Sequence, residues 1–270
     1  MRFAGGGRTL ERLAGTPAPR TRRTAGRWRT VRSGPDPWSA SAREAPDQVW
    51  LRGAAPSRVR DVLQEGLLFP TTRFVAHPRV EGADDLAHAP QPAVIAPNHG
   101  SDIDTPLVLA ALPRAWRSRT VVGAAADRFY RRGTYAVMSG LWINTFPFDR
   151  SGEGRGSAAA AEFLREGHNV LLYPQGTRSA GQVQGFRSGV ARLCVATGAP
   201  LVPVHVGGTA LIMPKDRGLT RRGRATVRFG APLVPHPGER PEDFLERTRE
   251  AMSAMVPGRG RPGDGPRRRP

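Results

Sequence analysis

In Asn98-His99-Gly100-Ser101-Asp102-Ile103-Asp104 a histidine follows a short apolar run, and a carboxylate arrives five residues later where a helix begins. A loop of this length lets Asp104 fold back and accept from His99 Nδ1–H, which fixes the tautomer and leaves Nε2 free to act as a base. The plainer alternative is a surface histidine beside a helix-capping aspartate. A second segment, Tyr173-Pro174-Gln175-Gly176-Thr177-Arg178-Ser179, also follows an apolar run directly. Proline and glycine bracket a turn that presents backbone N–H groups, the hydroxyls of Thr177 and Ser179, and the guanidinium of Arg178. Such a set can cradle a phosphate, although an ordinary strand-to-loop turn reads the same way. The lysine of a Walker loop is absent, so nucleotide hydrolysis is not indicated. Phe148-Asp149-Arg150 offers one more arginine after an apolar run, with a surface ion pair as its ordinary reading. Pro200-Leu201-Val202-Pro203-Val204 is chemically mute and reads as core.

The elements that must position these residues alternate between strand and helix. Ser57 can cap a helix whose Val59, Val62, Leu63 and Leu67 fall on one face. Residues 74–80, 93–96, 120–124, 141–146, 170–173, 201–206 and 225–229 read as strands. Thr105 before Pro106 has the order of an N-cap and first helical residue, opening a helix to about 112. Further helices are expected over 157–166, stopped by Gly167, over 188–197, ended by Gly198, and over 241–255. Strands alternating with helices imply an α/β fold, with a mixed, largely parallel sheet flanked by helices. Sites in such folds lie in loops beyond the carboxyl ends of strands, where both segments fall.

The 270 residues divide unevenly in charge. Of the net +18, residues 1–45 carry +7 and residues 256–270 carry +4. Their Gly, Pro, Thr and Arg clusters show no sustained period, so 1–45 reads as a disordered basic leader and 257–270 as a disordered basic tail. An arm for anionic lipid or nucleic acid is the functional alternative for the leader. Lys215 is the only lysine against 40 arginines, which looks like coding bias rather than selection for guanidinium chemistry. With the excess charge in the tails and no helix-turn-helix, zinc or RNP-like motif, no nucleic-acid partner is expected. The single cysteine, Cys194, excludes an intramolecular disulfide and a thiolate metal cluster, and its neighbours mark it as core. No metal site is expected. No run of about 18 apolar residues suggests a spanning helix, and the N-terminus lacks the apolar stretch of a secretory signal. Arg128, Phe129, Tyr130, Arg131, Arg132, Tyr135, Met138, Leu141 and Trp142 crowd one stretch that fits either an interfacial surface or a helix packed on the sheet.

Four segments in chain order resemble the glycerolipid acyltransferase family that includes the 1-acyl-glycerol-3-phosphate acyltransferases. The family pattern is H-x-x-x-x-D, then F-x-x-R, then F-P-E-G-T-R-S, then V-P-[VI]. Here these look like His99 with Asp104, the segment ending at Arg150, Tyr173 to Ser179, and Val202-Pro203-Val204. Pro147 stands three residues before Arg150, between Phe146 and Phe148, so the second motif is blurred. Gln175 stands where the third motif has Glu, and Tyr173 where it has Phe. The resemblance covers roughly residues 70–235, within an acyltransferase domain expected over 46–256.

The resemblance implies His99 as general base and Asp104 as its orienter. It also implies that Arg150 and Arg178 hold an acceptor phosphate, with Gln175, Gly176, Thr177 and Ser179 lining the substrate site. The implied reaction moves an acyl group from acyl-CoA or acyl-carrier protein to a hydroxyl of a lysophospholipid or glycerol-phosphate acceptor, with no cofactor beyond the thioester. Another acceptor, amine or alcohol, and an inactive lipid-binding relative are the alternatives. The implied location is cytoplasmic, peripheral on the inner face of the membrane, against an anionic surface. An oxyanion would form, with backbone N–H groups as its expected donors.

Overall fold

Runs rich in valine and other β-formers build the sheet, and the stretches with spaced apolar residues build the helices around it. The structure is a computed structural model that describes residues 49–125, 133–148, 155–176, 186–214, 218–219 and 221–256. The expected leader, the tail and Arg128 to Arg132 lie outside the described residues. Strands β1 (Arg79–Glu81), β2 (Val94–Pro97), β3 (Thr120–Ala125), β4 (Thr145–Phe148), β5 (Asn169–Leu171), β6 (Leu201–Gly207) and β7 (Thr226–Phe229) form one sheet in the order β1-β7-β6-β2-β5-β3-β4. β6, β2, β5, β3 and β4 run parallel. β7 runs antiparallel to β6 and pairs with β1 in parallel. The fold is therefore α/β, with the mixed, largely parallel sheet and flanking helices that the sequence implies.

Among the described residues the helices are α1 (Ala54–Leu63), α2 (Phe69–Ala76), α3 (Asp104–Ala111), α4 (Arg114–Arg117), α5 (Gly133–Ile143), α6 (Arg155–Arg165), α7 (Ser188–Thr197), α8 (Thr209–Ile212) and α9 (Pro241–Ala254). Alternation along the strands splits the core into two layers. Ile95, Leu171, Val202 and Val204 face one layer with Phe69, Leu107 and Trp116 from α2, α3 and α4. Val94, Ala96, Val170 and Leu172 face the other, with Leu164, Leu193 and Phe244 from α6, α7 and α9. Cys194 is fully buried in that second layer, and burial pushes its thiol well above the ordinary range.

Three local expectations are corrected. Helix α1 starts after Gly53 rather than at Ser57, and it is turned inside out. Val59, Val62 and Leu67 are exposed, whereas Arg60 and Gln64 are buried. Backbone carbonyls of neighbouring segments take up their polar groups. Arg60 Nε donates to Gly140 O (3.1 Å) and its Nη2 to Leu51 O (2.7 Å). Gln64 Nε2 donates to Trp142 O at 2.8 Å. Gly140 and Trp142 belong to the last turn of α5, where helical N–H partners run out, although Gly140 O also accepts from Asn144 N at 3.1 Å. A cation there also meets the negative end of the helix dipole. Burial first, and Arg52 second, bring the Arg60 guanidinium down to about 10, which still leaves it charged at neutral pH.

Residues 74–80 are not one strand. Helix α2 continues α1 through a π turn at Gln64–Leu68, ends on His77 at φ 36°, and leaves only Arg79–Glu81 extended. Nor do residues 141–146 form one strand. Helix α5 runs to Ile143 and stops at Asn144, whose φ of 55° turns the chain into β4. Asn144 Nδ2 then donates to Thr120 O at 2.9 Å. Asparagine tolerates this left-handed conformation, so its position after an apolar run was the available signal.

Candidate active site

β2 and β5 lie side by side at the centre of the sheet, so the loops leaving their carboxyl ends are neighbours. Asn98 anchors the first loop. Its Nδ2 donates to Val206 O (2.9 Å) and its Oδ1 accepts from Val206 N (2.6 Å), extending the β2–β6 ladder by a side chain. The chain then bends around a carboxylate. Asp104 Oδ2 accepts from Gly100 N (2.7 Å), Ser101 N (2.7 Å) and His99 Nδ1 (3.0 Å). Asp104 is fully buried, while the His99 side chain keeps 15% exposure. A carboxylate has no proton to give, so Nδ1 carries the hydrogen and Nε2 presents a lone pair. The fold-back expected from the spacing is present.

Helix α3 begins at Asp104 itself, with no side-chain cap at the preceding Ile103. This corrects Thr105 as an N-cap. Its hydroxyl lies 2.7 Å from Tyr173 Oη instead. The Tyr173 ring stacks on the His99 imidazole, with centroids 4.0 Å apart and planes 27° from parallel. Burial, together with the negative charge of Asp104, holds the Tyr173 phenol well above its ordinary range, so it stays protonated.

The β5 loop is tied to the β2 loop through Gln175, which is 5% exposed. Its Oε1 accepts from His99 N at 2.7 Å. Its carbonyl oxygen thus braces the backbone of the histidine. Gly176 is in the left-handed region at φ 69°, and a β-carbon there would approach Arg187 Nε to 3.0 Å, so the turn suits glycine. Arg150, Thr177, Arg178 and Ser179 lie outside the described residues.

His99, Asp102, Thr105 and Tyr173 border a cleft of about 400 Å³ whose remaining walls include Val122, Gly123, Leu172 and Val190. Gly123 keeps one wall low, since a β-carbon there would come 2.4 Å from Leu172 Cδ2. The arrangement sets a histidine, oriented by a buried carboxylate, beside a mainly apolar slot. Sequence reasoning assigned no role to Asn98, Gly123 or the Tyr173 ring. The Tyr173 position was visible in the third motif, but stacking is a tertiary event that spacing does not encode.

An α/β sheet with a His–Asp pair at its central strand ends thus defines the class. A family model described as Acyltransferase matches residues 77–207, which takes in β2 to β6 and both loops. A chloroplastic 1-acyl-sn-glycerol-3-phosphate acyltransferase of Arabidopsis thaliana is 27% identical over 156 residues, covering 57% of this chain and 43% of that protein. Its counterpart in Brassica napus is 24% identical over 164 residues, covering 57% and 44%. The chain spans less than half the length of these curated relatives. In fold it is similar to the 1-acyl-sn-glycerophosphate acyltransferase PlsC of Thermotoga maritima, with a TM-score of 0.57, 21% identity, and coverage of 78% of this chain and 82% of that one. Over residues 77–207 the chain matches the acyltransferase family, and the relatives it resembles are of the 1-acylglycerol-3-phosphate acyltransferase kind.

Proposed function

We propose that this chain transfers a fatty acyl group from an acyl thioester, acyl-CoA or acyl-carrier protein, to a hydroxyl of a lysophospholipid or glycerol-phosphate acceptor. The observation that carries the reading is the 3.0 Å contact of His99 Nδ1 with buried Asp104, on a histidine that borders a mainly apolar cleft. The acceptor hydroxyl loses its proton to His99 Nε2 as its oxygen attacks the thioester carbon. The carbon–sulfur bond then breaks, and the proton passes to the departing thiolate. No enzyme nucleophile is needed, in keeping with the inert, buried Cys194. Arg150 and Arg178 hold the acceptor phosphate in this proposal, on the strength of the family motifs.

No helix among the described residues is long and apolar enough to cross a membrane. The proposed setting is peripheral, on the inner face of the membrane, against an anionic lipid surface. The test is release of thiol from acyl-CoA by the purified full chain, with and without a lysophospholipid. Thiol release that depends on the acceptor is expected, falling at least a thousandfold in His99→Ala without loss of fold. Asp104→Asn should fall about a hundredfold or more through the wrong tautomer. Near-wild-type turnover in His99→Ala would overturn the mechanism. A wild type silent on every acceptor would favour a lipid-binding relative.

A further inference from the structure

The attack proposed above generates an oxyanion, and such a charge in an apolar slot needs donors aimed at it. The backbone amides of the two loops are largely committed elsewhere. His99 N donates to Gln175 Oε1, while Gly100 N and Ser101 N donate to Asp104 Oδ2. Ile103 N points to Ser101 Oγ, Asp104 N donates to Ser101 O and Gly176 N to Tyr173 O. These six therefore do not answer the expectation of backbone donors.

One pair of groups does keep a hydrogen in reserve. Thr72, Thr197 and Thr248, each in a helix, bond the carbonyl four residues back. Thr105, also helical, turns its hydroxyl to Tyr173 Oη at 2.7 Å instead. Two hydroxyls bring two hydrogens to that contact and use one between them. Whichever is the donor, one O–H remains with no acceptor among the described residues, on a cleft that both side chains border beside His99. A hydroxyl held this way is worth most where charge appears only during the reaction.

Resting on the proposed acyl transfer, we propose that the Thr105–Tyr173 hydroxyl pair donates to the thioester carbonyl oxygen as it becomes the oxyanion. As the acceptor oxygen bonds to the carbonyl carbon, its proton goes to His99 Nε2 and the C=O π pair moves onto oxygen, where the spare O–H meets it. On collapse the C=O bond re-forms, the C–S bond breaks, and the thiolate takes the proton from His99.

Thr105→Val, Tyr173→Phe and the double variant test it in the full chain. The readouts are kcat, KM for the thioester, and the affinity of an S-alkyl thioether analogue that lacks the carbonyl. The double variant should lose about a hundredfold in kcat, with KM and analogue affinity within about threefold of wild type. Each single variant should lose less, since either hydroxyl left alone still has a proton to donate. A folded double variant with kcat within about threefold of wild type would overturn the proposal. So would a parallel loss of analogue affinity, which would make the pair part of the cleft wall only. Failure of the acyl-transfer reading itself would show separately, as a wild type that transfers nothing or a His99→Ala variant that remains active.

Discussion

The loops after β2 and β5 and the helices before β1 both bury polar side chains, yet only the loops do so where the sequence points. In the loops Asp104, Asn98 and Gln175 go inside because backbone N–H and C=O groups converge on them. In α1 and the π turn that follows it, the polar Arg60 and Gln64 go inside to reach backbone carbonyls, while Val59 and Val62 are left in solvent. The difference teaches that an apolar stripe does not by itself select the buried face. The bonds from Arg60 and Gln64 to the carbonyls of Leu51, Gly140 and Trp142 outweigh two valines on a helix near the surface, because a buried acceptor that loses its donor costs about 1–3 kcal/mol.

The largest effect on that comparison should come from Arg60→Leu. It adds apolar surface but removes the Arg60 donors from Leu51 O and from Gly140 O, which keeps only Asn144 N. Stability should fall by roughly 2–4 kcal/mol, read from denaturant unfolding. A gain in stability would show that the sequence stripe, not carbonyl satisfaction, should have set the face.

Next is Gln175. Gln175→Ala should cost about tenfold or more in kcat by freeing the His99 backbone, whereas Gln175→Glu should stay within about threefold, because a carboxylate oxygen can take the same N–H. A sharp rise in Gln175→Glu activity on glycerophosphate acceptors would instead make negative charge the purpose of this position.

A smaller effect is expected at His205 on β6, which is buried with no hydrogen-bond partner for Nδ1 among the described residues. Burial, and secondarily Arg228, lower its proton affinity in the folded state. The unfolded chain takes a proton near the ordinary histidine value of about 6.5, where the folded chain does not. Stability from this residue is therefore full above that pH and is lost as pH falls below it. His205→Phe should flatten the fall in Tm between pH 7 and 5. An unchanged slope would mean that His205 finds a partner when protonated. The smallest effect belongs to Val59→Ser with Val62→Ser, within about 0.5 kcal/mol if both valines are solvated; a loss of several would contradict the inverted helix.

Most of the sheet was legible because buried parallel strands are short valine-rich runs, and 93–96, 120–124 and 201–206 fall on β2, β3 and β6. The His99–Asp104 contact was legible because a separation of five residues, in a short loop between a strand and a helix, leaves the chain few paths. Helix α2 and the end of α5 were not, since the left-handed stops at His77 and Asn144 lie within apolar runs that look extended, although a helix over much of α5 was one of two readings. Tyr173 and Thr105 escaped because their bond spans 68 residues, a separation at which local patterns carry no information.

Both flanks of the sheet end in strands poorly suited to recruit another chain. At one side β1 is three residues long and bears Arg79 and Glu81, which pair with each other, Glu81 pairing also with Arg228. At the other, β4 holds Pro147 opposite Ala124, and proline has no N–H to offer a neighbour. The residue that blurs the arginine motif is thus also a guard against edge-to-edge aggregation, a hazard that an open sheet otherwise carries at both borders.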